Sequence, residues 1–131
     1  MAIQVSGTTV ISNTQVLQNI KGVFETRVAL GAGTSGASCQ FDLATATYFT
    51  KTVATGATTF TVVNVPAAGN VAAFIVDLTN GGSQTITWFN NVKWPNQIAP
   101  TLTAAGRDIL AFFTHDAGTT WSGLLLGKDV K

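Results

Sequence analysis

The stretch Asp108-Ile109-Leu110-Ala111-Phe112-Phe113-Thr114-His115-Asp116-Ala117-Gly118-Thr119-Thr120-Trp121-Ser122-Gly123-Leu124-Leu125-Leu126-Gly127-Lys128 decides how this chain folds. Two strand-like runs flank the turn Asp116-Ala117-Gly118, and both are apolar at odd and even positions alike. Ile109, Ala111 and Phe113 alternate with Leu110 and Phe112; beyond the turn, Trp121 and Leu125 alternate with Leu124 and Leu126. Successive side chains of a strand point to opposite faces of its sheet, so a half-buried antiparallel hairpin should carry one polar face. This one has none. Either the hairpin lies at the centre of a domain covered on both sides, or its second face is covered by another copy of the chain. On the second reading Ile109, Leu110, Phe112, Phe113, Trp121, Leu124, Leu125 and Leu126 are expected at a subunit interface.

Composition leads the same way. The 131 residues suit one domain with a single hydrophobic core. They are 46% hydrophobic and only 10% charged, against roughly 25% charged in an average soluble domain, which leaves a lone monomer little charge to keep it dispersed. A net charge of +1 from scattered basic residues gives no support to nucleic-acid binding, which needs Lys and Arg gathered on one surface. No segment approaches the ~20 apolar residues of a membrane span, and Met1 to Ser6 lack the basic and apolar regions of a secretory signal, so maturation in the cytoplasm where the chain is made is expected. No membrane partner is expected. Cys39, the only cysteine, excludes an internal disulfide and reads as an inert buried thiol.

Working back from the hairpin, nearly every segment alternates at a period of two, is rich in Thr, Val, Ile and Phe, and is bounded by Gly, Asn or Pro. Phe60 to Val65 and Val71 to Thr79 read as strands joined by Pro66-Ala67-Ala68-Gly69-Asn70. In the second of them Phe74, Val76 and Leu78 share a face opposite Ala73, Ile75 and Asp77. Asn80-Gly81-Gly82 supplies residues tolerant of positive φ for a hairpin turn, and Gln84 to Trp88 returns as a strand. Gly31 to Ser38 is small and uncharged and reads as a flexible exposed loop. Residues 90–106, with Pro95 and Pro100, read as an irregular crossover. The expected fold is all-β, a single antiparallel β-sandwich or jelly-roll-like domain over residues 23–131.

The first thirty residues stand apart. Ile3, Val5, Val10, Ile11, Val16, Leu17 and Ile20 recur among Ser, Thr, Gln and Asn, too apolar to stay solvated and too interrupted for a strong core strand. Residues 1–22 are therefore either an extended arm that docks on a neighbour through Ile3, Val5, Val10, Ile11, Leu17 and Ile20, or the first hairpin of the domain.

Two parts of the chain carry a resemblance. Ile3-Gln4-Val5-Ser6-Gly7-Thr8-Thr9-Val10-Ile11 with Leu17-Gln18-Asn19-Ile20 resembles a segment of bacteriophage tail-fibre-like and other virion proteins. Trp94-Pro95, Ala99-Pro100, Leu102-Thr103, Gly106-Arg107-Asp108, Phe112-Phe113-Thr114 and Gly118-Thr119-Thr120-Trp121-Ser122-Gly123 resemble the end of a β-rich domain of the same class. Together they cover under half of the chain. The resemblance implies a non-enzymatic phage virion component, commonly a homotrimer, and does not choose its place on the particle; the expected location is the exterior of the particle, and the host cytoplasm during assembly. Size favours a capsid decoration (cement) protein or short head fibre, with itself and the major capsid protein or other virion proteins as partners; a tail-fibre or head-fibre module that recognises host surface glycans is the alternative.

Chemistry-bearing residues are sparse. His115-Asp116 with Ser122 is the one set from which a hydrolytic triad is conceivable, but neighbours on a strand diverge and no elbow motif surrounds Ser122, so Asp116 reads as a turn former and His115 as a strand-end side chain. The dispersed aspartates have no calcium-loop spacing, and neither a metal site nor a cofactor is expected. Arg107-Asp108 reads as a solvated charge pair at a strand entrance. Trp88 and Trp121 share strand registers with Ile86 and Leu125 and read as core or interface residues. Trp94, in the crossover beside Asn91 and Asn96, is the candidate for stacking on a sugar ring while the two asparagines bond its hydroxyls.

Overall fold

The computed structural model describes residues 25–131 and, ahead of them, two short strands, β1 (Gln4–Val5) and β2 (Thr8–Thr9), which pair antiparallel. The other strands are β3 (Val28–Ala29), β4 (Gln40–Asp42), β5 (Tyr48–Thr52), β6 (Thr58–Thr59), β7 (Thr61–Val63), β8 (Ala72–Thr79), β9 (Ile86–Thr87), β10 (Val92–Lys93), β11 (Arg107–Thr114) and β12 (Trp121–Gly127). Among the described residues the only helical turns are short 3-10 segments at Gly36–Cys39, Gly81–Ser83 and Pro95–Gln97, so the fold is all-β.

The expectation of an antiparallel sheet is corrected. Six strands form one sheet in the order β10-β12-β11-β8-β5-β3, and only β8–β11 and β11–β12 run antiparallel; β3–β5, β5–β8 and β10–β12 are parallel. The reason lies in a coil. β4 pairs in parallel with β7, β5 with β8, and β6 with β9, so three consecutive strands of one lap lie along their counterparts in the next, about 20 to 30 residues further on, as in a solenoid. A partial lap precedes them: β3 lies against β5, and the Thr59 N–H donates to the Thr34 carbonyl at 2.9 Å. β11 then reverses direction along β8 over eight residue pairs and leads into β12.

Inside the laps the core is aromatic. Phe41 on β4 meets Phe49, Phe60 and Phe74 at ring-centroid separations of 5.2, 4.9 and 5.2 Å. Phe74 continues the cluster to Phe112 and Trp121 at 5.3 and 5.5 Å. Aromatic pairs in tilted or offset geometry add about 0.5–1.5 kcal/mol each to the burial of their area, and here they join the large sheet to the short strands that cover its inner side. Cys39 is buried, with its thiol donating to the Gly33 carbonyl.

Two charges are enclosed with the aromatics. Lys51 shares the inner face of β5 with Phe49, and its Nζ donates to the carbonyls of Gly31, Gly33 (2.6 Å) and Ser38 (3.0 Å). A buried ammonium is tolerated when all its protons are bonded, and those bonds pin the small-residue loop 31–38, which is mostly exposed as its composition suggests. Asp108 is the second, and it corrects the picture of a solvated Arg107-Asp108 pair. Adjacent strand residues face opposite ways: Arg107 turns outward to Asp77 (3.3 Å), and Asp108 turns inward beside Leu110 with no exposed surface. Its carboxylate accepts from the Thr103 N–H (2.6 Å), the Thr103 hydroxyl (2.7 Å) and the Asp129 N–H (3.0 Å). Burial alone would raise its pKa, but the Thr103 and Asp129 amides and the Thr103 hydroxyl outweigh that and hold it below the ordinary carboxylate value. One side chain thereby fastens both the end of the crossover and the C-terminal tail.

Candidate functional site

The hairpin β11–β12 is held at its tip by side chains rather than by a two-residue turn. The Asp116 carboxylate accepts from the Thr120 N–H at 2.9 Å and the Thr114 hydroxyl at 2.7 Å, and those two bonds keep its pKa below the ordinary value. Thr114 Oγ1 in turn accepts from the Gly118 N–H. Ala117 and Gly118 both adopt positive φ, at 57° and 79°, and turn the chain back. Asp116 is thus a turn former, and His115 lies exposed at the strand end with its carbonyl bonded to Gly69.

Register then fixes which side chains share a face. On β11 the inward set is Asp108, Leu110, Phe112 and Thr114, all buried. On β12 Trp121 is buried, and Leu125 packs partly against the same core. Leu110, Phe112 and Trp121, expected at a subunit interface, are therefore corrected to core residues: at 0%, 0% and 2% exposure they have no surface left for a neighbour.

The outward set differs. Phe113 lies opposite Ala73 and Ser122, Ala111 opposite Ile75 and Leu124, and Ile109 opposite Asp77. Phe113 and Leu124 remain 40% and 38% exposed, with Ile75, Ile109 and Ala111 half-buried beside them, and Leu126, the unpaired extra residue where the register shifts between Leu110 and Ile109, is 57% exposed next to Leu124 in sequence. The result is an apolar band across three adjacent strands, with no described residue packed over it as a second layer. β12 is also open at its edge: β10 pairs with Trp121 and Ser122 alone, so among the described residues no strand lies along the free side of Leu124–Gly127. Such an edge offers unpaired N–H and C=O groups to another chain.

Trp94 does not stand out from the surface as a free platform. Its ring is half-buried, edge-on to Trp88 at 5.7 Å and to Phe112 at 5.6 Å, and it lies so close over Gly123 that a Cβ there would come within 2.7 Å of the indole. A small recess of about 250 Å³ beside it is lined by Val92, Lys93, Trp94 and Gln97. Asn91 and Asn96 are exposed but do not line it; both occupy left-handed turn positions, φ 61° and 53°. Of the arm residues, Val5 falls in β1, and Ile3, Val10, Ile11, Leu17 and Ile20 lie outside the described residues.

Sequence reading missed Lys51 and Asp108. The signal for Asp108 was present in its strand parity, since it alternates in step with Leu110 and Phe112. Lys51 likewise alternates with Phe49, but its carbonyl partners lie in a loop whose position only the coil determines. No family model, curated protein or solved structure matches the chain.

Proposed function

We propose that this chain is a non-enzymatic structural protein of a bacteriophage virion, a decoration protein that assembles as a homotrimer on the outside of the capsid. The observation that carries the reading is the apolar band of Ile75, Ile109, Phe113, Leu124 and Leu126, which no described residue covers, beside a strand edge that no described strand pairs, in a chain with so few charges. Burying a Leu or Phe side chain fully is worth about 1.5–3 kcal/mol, and three identical bands meeting around an axis supply such burial three times over. In this reading the two layers of the domain work as a β-sandwich whose outer face seats sister subunits. Residues 1–22 serve as the arm that holds the major capsid protein, and trimers gain further by engaging several capsomers at once. The resemblance of the two ends of the chain to virion proteins supports a place in the virion, and the small size of the chain is what favours the capsid over a fibre. Glycan recognition at Trp94 has less support, because that ring is engaged with Trp88, Phe112 and Gly123.

Sedimentation velocity on the full chain tests the assembly. A trimer is expected, and the double variant Leu124→Glu/Leu126→Glu should sediment as a folded monomer. A wild-type chain that remains monomeric at high micromolar concentration overturns the reading. Location is tested by adding the protein to phage heads that lack decoration: saturable binding that disappears when residues 1–22 are removed is expected, and no binding by the intact trimer refutes the capsid assignment.

A further inference from the structure

Charge is scarce in this chain, yet it is concentrated at one place. Three of the seven Lys and Arg residues, Arg27, Lys51 and Arg107, line a single cleft of about 480 Å³ at the β3 end of the large sheet, with Asp77 the one acid among its described lining residues. Those residues carry a formal charge of +2, in a protein whose whole net charge is +1.

The fold brings these groups together from distant parts of the sequence. Thr50 and Asp77 are register partners on the parallel strands β5 and β8, so their outward side chains stand about 5 Å apart. Arg27, just before β3, reaches over Thr50 and donates to its hydroxyl at 3.0 Å. Arg107, at the start of β11 and opposite Thr79, lies against Asp77 through Nε at 3.3 Å. Asp77 also accepts from the Tyr48 hydroxyl at 3.1 Å, so its position is fixed from both sides. Among the described residues neither guanidinium is used up: each engages the protein through one nitrogen, and the remaining donors of its five-donor planar fork are left for a carboxylate. Lys51 adds its charge from beneath, held by three carbonyls.

We infer that this cleft is a binding site for an acidic sugar, its carboxylate held by Arg27 and Arg107 and its hydroxyls by Thr50 and Thr79. The volume lies within the ~300–1,000 Å³ usual for small-molecule sites and exceeds what a bare carboxylate or inorganic anion would fill. Neutral hydroxyls beside the arginines match a ligand with one charge and many hydroxyls better than a polyphosphate, which would call for more cations. Asp77 acts as an internal competitor for Arg107 and keeps the empty cleft from gathering stray anions. The cleft shares the outer face of the sheet with the apolar band and adjoins it where Asp77 faces Ile109, and the proposed binding does not depend on where on a particle the protein resides.

Titration of the isotopically labelled full chain with glucuronate and with N-acetylneuraminate, followed by amide and Arg Nε chemical shifts, tests this. Saturable shifts at Thr50, Thr79 and both arginines are expected for at least one of the two acids, with none for glucose. Arg27→Gln and Arg107→Gln should each weaken binding about tenfold. Asp77→Asn should strengthen it, a sign that general damage to the fold would not produce. Arg27 is exposed and, among the described residues, bonded only to Thr50, so its variant keeps the test valid if the Arg107 variant unfolds. The inference is overturned if neither acid shifts these signals, if glucose or acetate shifts them as strongly at equal concentration, or if Asp77→Asn weakens binding.

Discussion

The two faces of β11 carry side chains of nearly the same character and meet different fates. Leu110 and Phe112 on one side are completely buried, Phe112 among Phe74, Phe89, Trp88 and Trp94, whereas Ile109 and Phe113 on the other look out over strands on which no described residue forms a second layer. Hydropathy alone does not separate the two sets. What separates them is the coil: the described laps wind to one side of the large sheet, so the same apolar content is core on that side and exposed surface on the other. Apolar patches left open on soluble proteins mark places where another molecule sits.

The comparison breaks first if the inner residues prove dispensable. Phe112→Ala should destabilise the fold by about 4 kcal/mol, the usual cost of emptying a filled aromatic site, and Phe113→Ala one residue away by less than about 1 kcal/mol when measured on a monomer. Denaturant unfolding of the pair, on an assembly-deficient background, reads the difference directly, and equal costs would mean that the two faces are not distinct. Asp108→Ala is expected next, at about 3 kcal/mol, because it strands the amides of Thr103 and Asp129 without their charged acceptor. Since the folded pKa of Asp108 lies below its unfolded value, its contribution is fully present above the ordinary carboxylate pKa of 3.8 and is lost as pH falls through the folded value. Unfolding curves taken on the acid side of that value should therefore be shallower in pH for Asp108→Asn than for wild type. Gly123→Ala should cost about 1–3 kcal/mol, because the new methyl meets Trp94 and Val92 at 2.7 and 2.8 Å; a shifted indole Nε1–H resonance of Trp94 in the folded variant would show the ring displaced. Smallest on stability, within about 0.5 kcal/mol, is Leu126→Glu on the outer face. Its effect should appear in sedimentation alone, and a large drop in monomer stability would place Leu126 in the core after all.

Much of this was legible from parity. The strand over 72–79, with Phe74, Val76 and Leu78 inward, and the hairpin around Asp116 follow from alternation and turn chemistry, and both are present. Asn80 does adopt the left-handed conformation, but the hairpin expected at Asn80-Gly81-Gly82 does not form: the segment is a 3-10 turn, and the strand after it, β9, pairs in parallel with β6 rather than with β8. Direction was not legible. An alternating strand has the same pattern whether its neighbour runs parallel or antiparallel, and the partners of β4, β5 and β6 lie a whole lap away, where no short-range signal reaches. Phe60 illustrates a second limit: the run 60–65 reads as one strand, but Phe60 sits at the corner between β6 and β7, with its ring stacked between Phe41 and Trp88. The basic cleft was invisible for a similar reason, since Arg27, Lys51, Asp77 and Arg107 are brought together only by stacking of the laps and the return of β11.

Because each lap meets the next through the same parallel pairing, the middle of this molecule is modular in a way its ends are not. A duplicated copy of residues 40–60, inserted after Phe60, would find a ready partner above and below and would lengthen the protein by one storey while leaving the β11–β12 lid unchanged. Evolution of such a chain can proceed by whole floors, and its height can be matched to a neighbour without redesigning the surface that grips it.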